Sequence, residues 1–595
     1  MPEASRVRRP RLVHAIAVLA ALPLLAGFTA AVRQAWVCDD IFISFRYVDH
    51  LLRGQGLVFN AGERVEGFTH FLWVILLAAL ARMGLDLVWL GRYLPLVAFA
   101  GILGVLCQRR LRHRPAGGLA LPVAAWGVAL HKDLQVFASS GLETAPFALL
   151  LLLGVLVAAG ARLRAGLAAA LFALATLLRP EGAMYAAAAA AYLLWRTRRA
   201  RPALVFAGVW SALVIPLLLF RLAYYGDLLP NTYYAKSAGG AYWSQGWQYT
   251  RLYFGIYAVL LAGLAAIPAV WIVRVRRSRA GVGASARSAT ELDAAVLAGV
   301  LVLLTILYVT RLGGDFMFAR FYIPVTPLLY LVAEDVLLCL RWRWLQGAAA
   351  VVVVGLTLVA QGPRARAFPG RDPVDGIVNE ANYYTREMVA HLRQQGEILG
   401  RCLQGTQARV GLLSGQDAVA YFGRLPYALE PNGLTDAELA RLPLVRRGRP
   451  GHERAVSYEQ LLQKNIHFRL LYGVSVGLPL YQQIRFGDLF GQVVIYDRAL
   501  MEHLRAGGSV NFADFPQYLD RYVEELGTTP PAAVTAADPV RDYLRFQLFY
   551  FLHNDDPERF GRLRRALLAA GIPEARLQEA ERVAGQLRVG PRRPT

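Results

Sequence analysis

Two adjacent carboxylates, Asp39 and Asp40, follow the first long apolar run of this 595-residue chain. A helix that begins at or just after Asp40 would hold them at its positive N-terminal end, which favours their ionised form. Arg46 would share a helical face with Asp39, about 10 Å away. That spacing suits a general base at one end of a cleft and a phosphate-holding guanidinium at the other. Adjacent helical residues diverge by about 100°, so one carboxylate would be the base and the other a helix cap or cation ligand. The alternative is that both are ordinary cap or loop residues.

Composition indicates a polytopic membrane protein. The chain is 56% hydrophobic, its mean hydropathy is +0.37, and several runs approach the roughly 20 apolar residues that cross a bilayer. The formal net charge of +22 comes largely from clusters of Arg at the ends of these runs, as expected of cytoplasmic loops. We therefore interpret the charge as a signal of topology and expect no nucleic-acid partner.

The positive-inside rule predicts the topology. The first run, about Leu12 to Val32, is expected to be an uncleaved span with the basic N-terminus inside. If the run Phe68 to Met83 also spanned, the basic stretch Arg109 to Arg114 would lie outside. We therefore predict a short surface helix at Phe68 to Met83 and the second span at Leu87 to Cys107. Later spans, about eleven in all, are predicted near Gly118–Leu130, Leu142–Gly160, Gly166–Leu178, Glu181–Trp195, Ala203–Leu222, Arg251–Val273, Leu292–Thr310, Tyr322–Leu340 and Gly347–Gln361.

The composition changes after Gln361 and predicts two domains. Residues 1–361 are expected to form the transmembrane catalytic domain, with an extracytoplasmic (periplasmic) loop at 33–86. Residues 362–595 are polar and contain strand-like runs at Ala408 to Leu413 and Gly491 to Tyr496, and helical stretches at Pro539 to His553 and Glu558 to Ala570. This segment is long enough to bury its own core. We predict a soluble extracytoplasmic α/β domain that binds or positions an acceptor.

The predicted topology sorts unusual polar residues to the outer side, whereas the inner loops hold mainly Arg and small residues. Ionisable residues at the membrane edge are candidates for function. Each has a structural alternative, such as a span-end ion pair or a snorkelling cation, and His452 is expected to be an ordinary domain residue. The outer candidates are Asp39, Asp40, Arg46, Glu66, His70, Glu143, Arg179, Glu181, Lys236, Asp315 and Arg320.

Several of these residues lie in motifs of a known family. The motifs are Asp39-Asp40-Ile41-Phe42-Ile43-Ser44-Phe45-Arg46-Tyr47, Gly54-Gln55-Gly56-Leu57-Val58-Phe59-Asn60, Glu63-Arg64-Val65-Glu66-Gly67-Phe68-Thr69, Gly141-Leu142-Glu143-Thr144, Leu178-Arg179-Pro180-Glu181-Gly182 and Gly314-Asp315-Phe316 with Arg320-Phe321. In these residues the chain resembles bacterial GT-C membrane glycosyltransferases, and within them the terminal arabinofuranosyltransferases of actinobacterial cell-wall assembly. The resemblance covers about residues 12–360. It implies a GT-C-like fold in which Phe68 to Met83 is a juxtamembrane helix.

The resemblance also implies the reaction. The donor would be a polyprenyl-phosphate-linked sugar, such as polyprenyl-phosphoryl arabinofuranose, and the acceptor a cell-envelope glycan or protein. An outer-face enzyme has no nucleotide sugars at hand, which agrees with a lipid-linked donor. Asp39 or Asp40 would deprotonate the acceptor hydroxyl. The other candidates would bind substrate: Arg46, Arg179, Lys236 and Arg320 the lipid phosphate, and Glu143, Glu181 and Asp315 the sugar hydroxyls or those cations, with Glu66 and His70 beside them. No cofactor is predicted, although two carboxylates could bind a divalent cation.

Two other function classes remain open on the sequence. A transporter or flippase would also have many spans, but its charged residues should lie near the middle of the bilayer and it would not need a large outer domain. A structural or regulatory membrane protein would tolerate Asp39→Ala and Asp40→Ala with little loss.

Overall fold

The computed structural model describes residues 8–112, 121–236, 240–279, 286–338, 342–444, 447–475, 477–508, 510–528 and 538–589. The chain divides into two compact units. The first comprises Met1–Leu52, Phe68–Arg386 and Val445–Glu453, and the second comprises Arg53–Gly67, Glu387–Leu444 and Arg454–Thr595. The contacts thus assign 362–386 and 445–453 to the first unit, and 53–67 to the second. In these segments the unit boundaries differ from the single boundary at residue 361 expected from composition. Composition does not show which segments pack together.

The first unit is mostly helical. Its helices are α1 Arg8–Arg33, α2 Asp40–Leu52, α3 Phe71–Arg82, α4 Leu87–Arg112, α5 Val123–Leu130, α6 Lys132–Phe137, α7 Thr144–Ala158, α8 Ala165–Leu178, α9 Gly182–Thr197, α10 Ala200–Tyr225, α11 Asn231–Ala235, α12 Trp243–Ile256, α13 Val259–Arg279, α14 Ala286–Leu312, α15 Thr326–Leu338, α16 Arg343–Val359 and α17 Gln361–Ala367. Short 3₁₀ turns at Ile323–Val325 and Glu380–Asn382 add to these.

Several helices suit a bilayer, as expected of a multi-pass membrane protein. Among the described residues, four helical segments are long and apolar enough to cross it: Leu87–Arg112, Ala200–Tyr225, Leu292–Leu312 and Trp344–Ala367. A fifth results if α12 and α13, which meet at a bend of 102°, form one broken span. Helices α7 and α8 coincide with predicted spans but are shorter. The number of about eleven spans stays a prediction, and two predicted spans, at 118–130 and 322–340, extend partly outside the described residues.

Helix α3 lies where a short helix was predicted at Phe68 to Met83. It runs over 12 residues, about 18 Å at 1.5 Å per residue. The hydrocarbon core of a bilayer is about 30 Å thick. Helix α3 is therefore too short to cross it, in agreement with the prediction of a helix that does not span.

The second unit is the α/β part of the chain. Its elements are α18 Arg386–Cys402, β1 Arg409–Gly411, α19 Asp417–Phe422, β2 Tyr427–Leu429, α20 Ala437–Arg441, α21 Tyr458–Gln463, β3 Phe468–Leu471, β4 Gln483–Phe486, β5 Leu489–Val493, α22 Arg498–Ala506, β6 Val510–Phe512, α23 Phe515–Thr528, α24 Pro539–Phe546, α25 Pro557–Ala569 and α26 Glu574–Val589. Strands β1 and β5 fall in the two predicted strand-like runs, and α24 and α25 in the two predicted helical stretches.

The six strands form one mixed sheet in the order β2-β1-β3-β5-β4-β6. Strand β1 runs parallel to both β2 and β3, with Val410 opposite Ala428 on one side and Phe468 on the other. The remaining pairs are antiparallel. Buried apolar side chains from β2, α20, α21 and the residues after β5 pack into one core. The connection from β2 to β3 passes from one side of β1 to the other, so the topology reverses at β1.

Residues Arg53–Gly67 fold as part of this second unit. The side-chain amide of Asn60 replaces a strand partner for β2: it donates to the Ala428 carbonyl at 2.9 Å and accepts from the Ala428 N–H at 3.0 Å. Nearby, the Arg409 guanidinium lies over the Tyr427 ring, 3.4 Å from its centroid. The Gly-Gln-Gly-Leu-Val-Phe-Asn stretch therefore has a structural role in the sheet.

Candidate functional site

The paired aspartates stand at the start of a helix. Helix α2 begins at Asp40, one of the helix starts considered from the sequence, and Asp39 precedes it. The Asp39 carbonyl accepts the Phe42 N–H at 2.8 Å, and the Cys38 N–H donates to the Ser140 carbonyl at 2.9 Å. The two carboxylates differ in exposure, since Asp39 is 4% exposed and the side chain of Asp40 is 26% exposed. Asp40 is thus the more accessible carboxylate of the pair.

Arg320 joins Asp40 to Asp315. Its Nη1 lies 3.5 Å from a carboxylate oxygen of each residue. The other oxygen of Asp315 accepts the backbone N–H of Phe316 at 2.8 Å. Burial alone would lower the pKa of Arg320, but the surrounding carboxylates, chiefly Asp315, raise it above its usual value. The guanidinium therefore stays charged and faces the accessible carboxylate.

Backbone geometry fixes the loop that carries Asp315 and Arg320. Gly314 has φ +73°, and a Cβ there would lie 2.5 Å from the Tyr249 ring, so only glycine fits. Ala319 adopts φ +67°, a left-handed conformation that costs a non-glycine residue about 1–3 kcal/mol. Tyr249 donates its hydroxyl to the Met317 carbonyl at 3.0 Å. This close packing holds the loop against α12.

A second group of polar side chains is joined by short contacts, and we call it the paired network: Ser44, His70, Glu143, Arg179 and Glu181. One of its buried atoms, Glu143 Oε2, has no hydrogen bond within the described residues and is held by the ion pair with His70. The Ser44 hydroxyl lies 2.7 Å from His70 Nε2, and His70 Nδ1 lies 3.1 Å from Glu143. Arg179 donates from Nη1 to Glu143 at 3.2 Å and from Nε to Glu181 at 2.6 Å. The structure thus brings together four of the predicted site residues and adds Ser44.

Burial and charge set the protonation of the paired network. Burial lowers the pKa of His70, against the opposing charge of Glu143. Burial alone would raise the pKa of Glu143, but the charges of His70, Arg179 and Arg320 outweigh it and lower the pKa. Glu143 therefore favours its ionised form between His70 and Arg179.

Glu380 is a carboxyl that the sequence analysis did not select. It begins the 3₁₀ turn Glu380–Asn382. Val378, two residues before Glu380, is bound to the loop that carries Asp315. The Phe318 N–H donates to the Val378 carbonyl at 2.9 Å, and the Val378 N–H donates to the Phe316 carbonyl at 2.8 Å. Burial, Asp40 and Asp39 together raise the pKa of Glu380 well above its usual value. The protonated form of Glu380 is therefore favoured beside the Asp40 carboxylate.

Two further residues reach the same loop from 445–453. The guanidinium carbon of Arg449 lies 4.8 Å from the centroid of the Phe316 ring. The His452 ring meets the same ring edge-on at 4.5 Å. A Cβ placed on Gly451 would lie 3.7 Å from Lys236 Cε, so Lys236 is beside this segment. Burial and the neighbouring Arg449 lower the pKa of His452 to about 4, and its imidazole is neutral near pH 7. His452 therefore packs beside the Asp315 loop.

We call the second assembly the Asp40 cluster: Asp40, Asp315, Arg320, Glu380, Arg449 and His452. Four of its buried atoms have no hydrogen-bond partner within the described part of the chain, namely Arg320 Nε, Glu380 Oε2, Arg449 Nε and His452 Nδ1. Buried polar atoms in folded proteins are normally paired. A group of buried polar atoms without hydrogen bonds around an accessible carboxylate is typical of a site that binds a polar ligand.

Two further predicted residues are buried in other segments. Arg46 is buried in α2, where it is 2% exposed. Glu66 is also buried, but it belongs to the Arg53–Gly67 segment of the second unit. Across the described ranges, no group of three or more His, Cys, Asp or Glu side chains is arranged to hold a metal ion, so no residue is assigned to one.

Comparison with curated proteins identifies relatives of one kind. A terminal β-(1→2)-arabinofuranosyltransferase of Corynebacterium glutamicum is 34% identical over 333 residues, which are 49% of this chain and 47% of that protein. The protein of the same name from Mycobacterium tuberculosis is 31% identical over 415 residues, 62% of this chain and 65% of that protein. The chain is similar to terminal arabinofuranosyltransferases. The match spans less than two thirds of the length of each relative.

Family models and solved structures were also compared with the chain. No family model matches the chain. Among solved structures, ArnT from Cupriavidus metallidurans, bound to undecaprenyl phosphate, aligns over 81% of this chain and 98% of that chain with a TM-score of 0.49 and 12% identity. The resemblance expected from the motifs is confirmed by the curated relatives alone.

Proposed function

We propose that this protein transfers a glycosyl residue, D-arabinofuranose, from a polyprenyl-phosphate donor to a cell-envelope glycan or protein acceptor. The arabinofuranosyl group follows the names of the curated relatives. The observation that carries the reaction is the accessible Asp40 carboxylate 3.5 Å from the buried Arg320 guanidinium. This contact places a candidate base next to a fixed positive charge.

Asp40 is the proposed general base. Its carboxylate takes the proton of the acceptor hydroxyl while that oxygen forms a bond to the anomeric carbon. The bond between the anomeric carbon and the phosphate oxygen breaks, and the polyprenyl phosphate leaves with the electron pair. Proton transfer by a positioned side chain typically contributes about 10²- to 10⁴-fold in rate. Asp39, being buried, acts by holding the start of α2 and adding negative charge beside Asp40.

Cations of the Asp40 cluster are proposed to receive the departing phosphate. Arg320 and Arg449 each keep a buried Nε without a partner in the described residues, and Lys236 lies beside the Arg449 segment. A guanidinium matches phosphate oxygens in a bidentate fashion. Glu380, which is neutral when protonated, adds no repulsion to the phosphate and can donate a hydrogen bond to a substrate oxygen.

The paired network is proposed to position the site. Glu143 and Glu181 are both ion-paired with Arg179, so a substrate group that bound Arg179 would have to compete with these pairs. Arg179 also lies over the Phe321 ring, 5.3 Å from its centroid. Phe321 adjoins Arg320, and the network therefore holds the guanidinium that faces Asp40.

The site and the second unit are proposed to face the outside of the cytoplasmic membrane. The support is the distribution of Lys and Arg, which collects in the predicted inner loops. A lipid-linked donor then reaches the site laterally from the bilayer, and the second unit contacts the acceptor. Labelling of Glu387→Cys, an exposed position of the second unit, with a membrane-impermeant maleimide on intact cells tests this orientation. Labelling only after lysis would contradict it.

The decisive experiment measures transfer from polyprenyl-phosphoryl arabinofuranose in nanodiscs. We expect Asp40→Asn to lower the transfer rate by about 10²- to 10⁴-fold, with donor binding retained. Asp49→Asn, on the same helix, is the matched control and should keep full activity. If Asp40→Asn transfers at the wild-type rate while Asp39→Asn does not, the roles of the two aspartates are reversed. If neither variant loses transfer, the protein does not use this base.

A further inference from the structure

The second unit contains a pocket at the carboxyl ends of its three parallel strands. It is lined by the residues that follow β1 and β2, by the end of β3, and by residues 454–456. The topology reverses at β1, because β2 and β3 lie on its two sides. In open α/β sheets ligands bind outside the carboxyl ends of the strands at such a reversal. The pocket is therefore at the position where this class of sheet places its ligands.

The polar lining of the pocket consists of hydrogen-bond donors and positive charge. Arg454 and Arg469 both line it, together with Ser414 and Asn432. The Ser414 hydroxyl and the Asn432 side-chain amide lie 3.4 Å apart, so they present one joint polar surface. None of the lining residues is acidic. An anionic group would be attracted by the two guanidinium groups.

The acidic residue nearest in sequence to this lining is already satisfied. Glu430 lies between Leu429 and Pro431, and it is buried. Its carboxylate accepts the N–H of Asn432 at 2.9 Å and the N–H of Leu434 at 2.7 Å. Glu430 thus shapes the loop after β2.

Arg469 gives the pocket an unused charge. It lies on β3, opposite Gly411 of β1 on one side and Gln492 of β5 on the other. Its side chain is half-buried, and within the residues that the structure describes the guanidinium makes no hydrogen bond or ion pair. A half-buried charge without a partner is costly, and an anion in the pocket would relieve that cost.

Size and aromatic lining indicate a single sugar ring. The cavity volume is about 180 Å³, below the roughly 300–1,000 Å³ of pockets for drug-sized ligands. The Tyr472 side chain is 75% exposed at the pocket and is held by a hydrogen bond from its hydroxyl to the Ser414 carbonyl. A fixed, exposed aromatic face can pack against the C–H face of a sugar. Apolar side chains such as Leu412 and Val456 complete the lining.

We propose that this pocket binds one anionic sugar residue, a sugar that carries a phosphate or a carboxylate group. The anion pairs with Arg469 and Arg454, the hydroxyl groups bond to Ser414 and Asn432, and the ring lies against Tyr472. This binding does not depend on the transfer reaction, since each of these residues belongs to the second unit.

The test is direct binding to the full-length protein in nanodiscs by saturation-transfer NMR and calorimetry. The probes are D-ribose 5-phosphate, D-glucuronate, neutral methyl α-D-arabinofuranoside and inorganic phosphate. We expect at least one anionic sugar to bind, and the one that binds more tightly identifies phosphate or carboxylate as the group recognised. Arg469→Gln should weaken binding at least tenfold. Arg485→Gln, an exposed arginine of β4 in the same sheet, should leave binding unchanged.

Tyr472→Ala provides a second variant that leaves the strands intact, and it should weaken the sugar probes more than inorganic phosphate. Four results would overturn the proposal: the neutral glycoside binds as tightly as the anionic sugars, inorganic phosphate alone binds as tightly, none of the probes binds, or both variants bind like wild type.

Discussion

The paired network and the Asp40 cluster are built from the same residue types but are satisfied to different degrees. In the paired network, the contacts from Ser44 through His70, Glu143 and Arg179 to Glu181 are all 3.2 Å or shorter. One buried atom there, Glu143 Oε2, has an ion pair but no hydrogen bond within the described residues. In the Asp40 cluster, the two ion pairs of Arg320 are 3.5 Å long, and four buried atoms have no partner in the described residues. Removing one partner of a buried pair costs stability, whereas unused hydrogen-bonding capacity is available to a ligand. The comparison suggests that the first group holds the structure and the second binds substrate.

After Asp40→Asn, Arg320→Gln should have the largest effect, because it removes the charge that faces Asp40 and, in the proposed reaction, the departing phosphate. Loss of one electrostatic stabiliser of a transition state typically costs about 10²- to 10³-fold in rate. We expect transfer from polyprenyl-phosphoryl arabinofuranose to fall by about that factor, with a modest decrease in thermal stability because Asp315 loses its partner. Arg311→Gln, an exposed arginine on α14, is the control. An unchanged transfer rate would remove Arg320 from the reaction.

Arg179→Met should mainly reduce stability. It removes the arginine that lies 3.2 Å from buried Glu143, and breaking a buried ion pair in this way costs about 3–5 kcal/mol. Thermal unfolding in nanodiscs should show a clear decrease in Tm, while Arg164→Met, at the exposed start of α8, should not. If Arg179→Met keeps its Tm but loses donor binding, the paired network binds substrate and the division between the two groups is wrong.

Glu380→Gln should stabilise the protein as pH rises. The pKa of Glu380 is raised in the folded state, so the folded protein binds more protons than the unfolded chain, and stability falls between the usual glutamate pKa and the raised one. The glutamine variant lacks this loss, and its advantage should grow by up to about 1.4 kcal/mol per pH unit in that range. Tm measured against pH checks this, with the exposed Glu387→Gln as control. If the Tm of the variant and that of wild type change in parallel with pH, the pKa of Glu380 is not raised in the folded protein.

His452→Gln should have the smallest effect, confined to acidic pH. The folded pKa of about 4 lies below the usual value of 6.5, so the unfolded chain binds more protons between these values. Wild type then loses stability as pH falls from 6.5 to 4, and the variant should lose less. Near pH 7 the two should unfold at similar temperatures. A difference that is largest near neutral pH would mean that His452 is charged in the folded protein.

The sequence predicted the paired network better than the Asp40 cluster. Glu143, Arg179 and Glu181 lie next to the ends of apolar helices, so the predicted spans already placed them on the same side of the membrane. Asp40 could be recognised as a possible helix start. Glu380 and Arg449 lie in polar loops without periodicity, and no local signal distinguishes them from other loop residues. Glu66 was selected because it belongs to a group of polar residues expected at the membrane edge. Its segment packs in the second unit, and its role in the site stays a prediction.

The amino-acid sequence by itself determined the membrane class, the helix that begins at Asp40 and the α/β character of the second unit, because these depend on local hydrophobicity, periodicity and capping. Only the tertiary structure decided which charges meet. The bridge between Met317 and Val378 brings Glu380 to the Asp315 loop, and packing on Phe316 brings Arg449 and His452 there. Such contacts join residues far apart in the chain, and their energy depends on burial and distance, which no local pattern records.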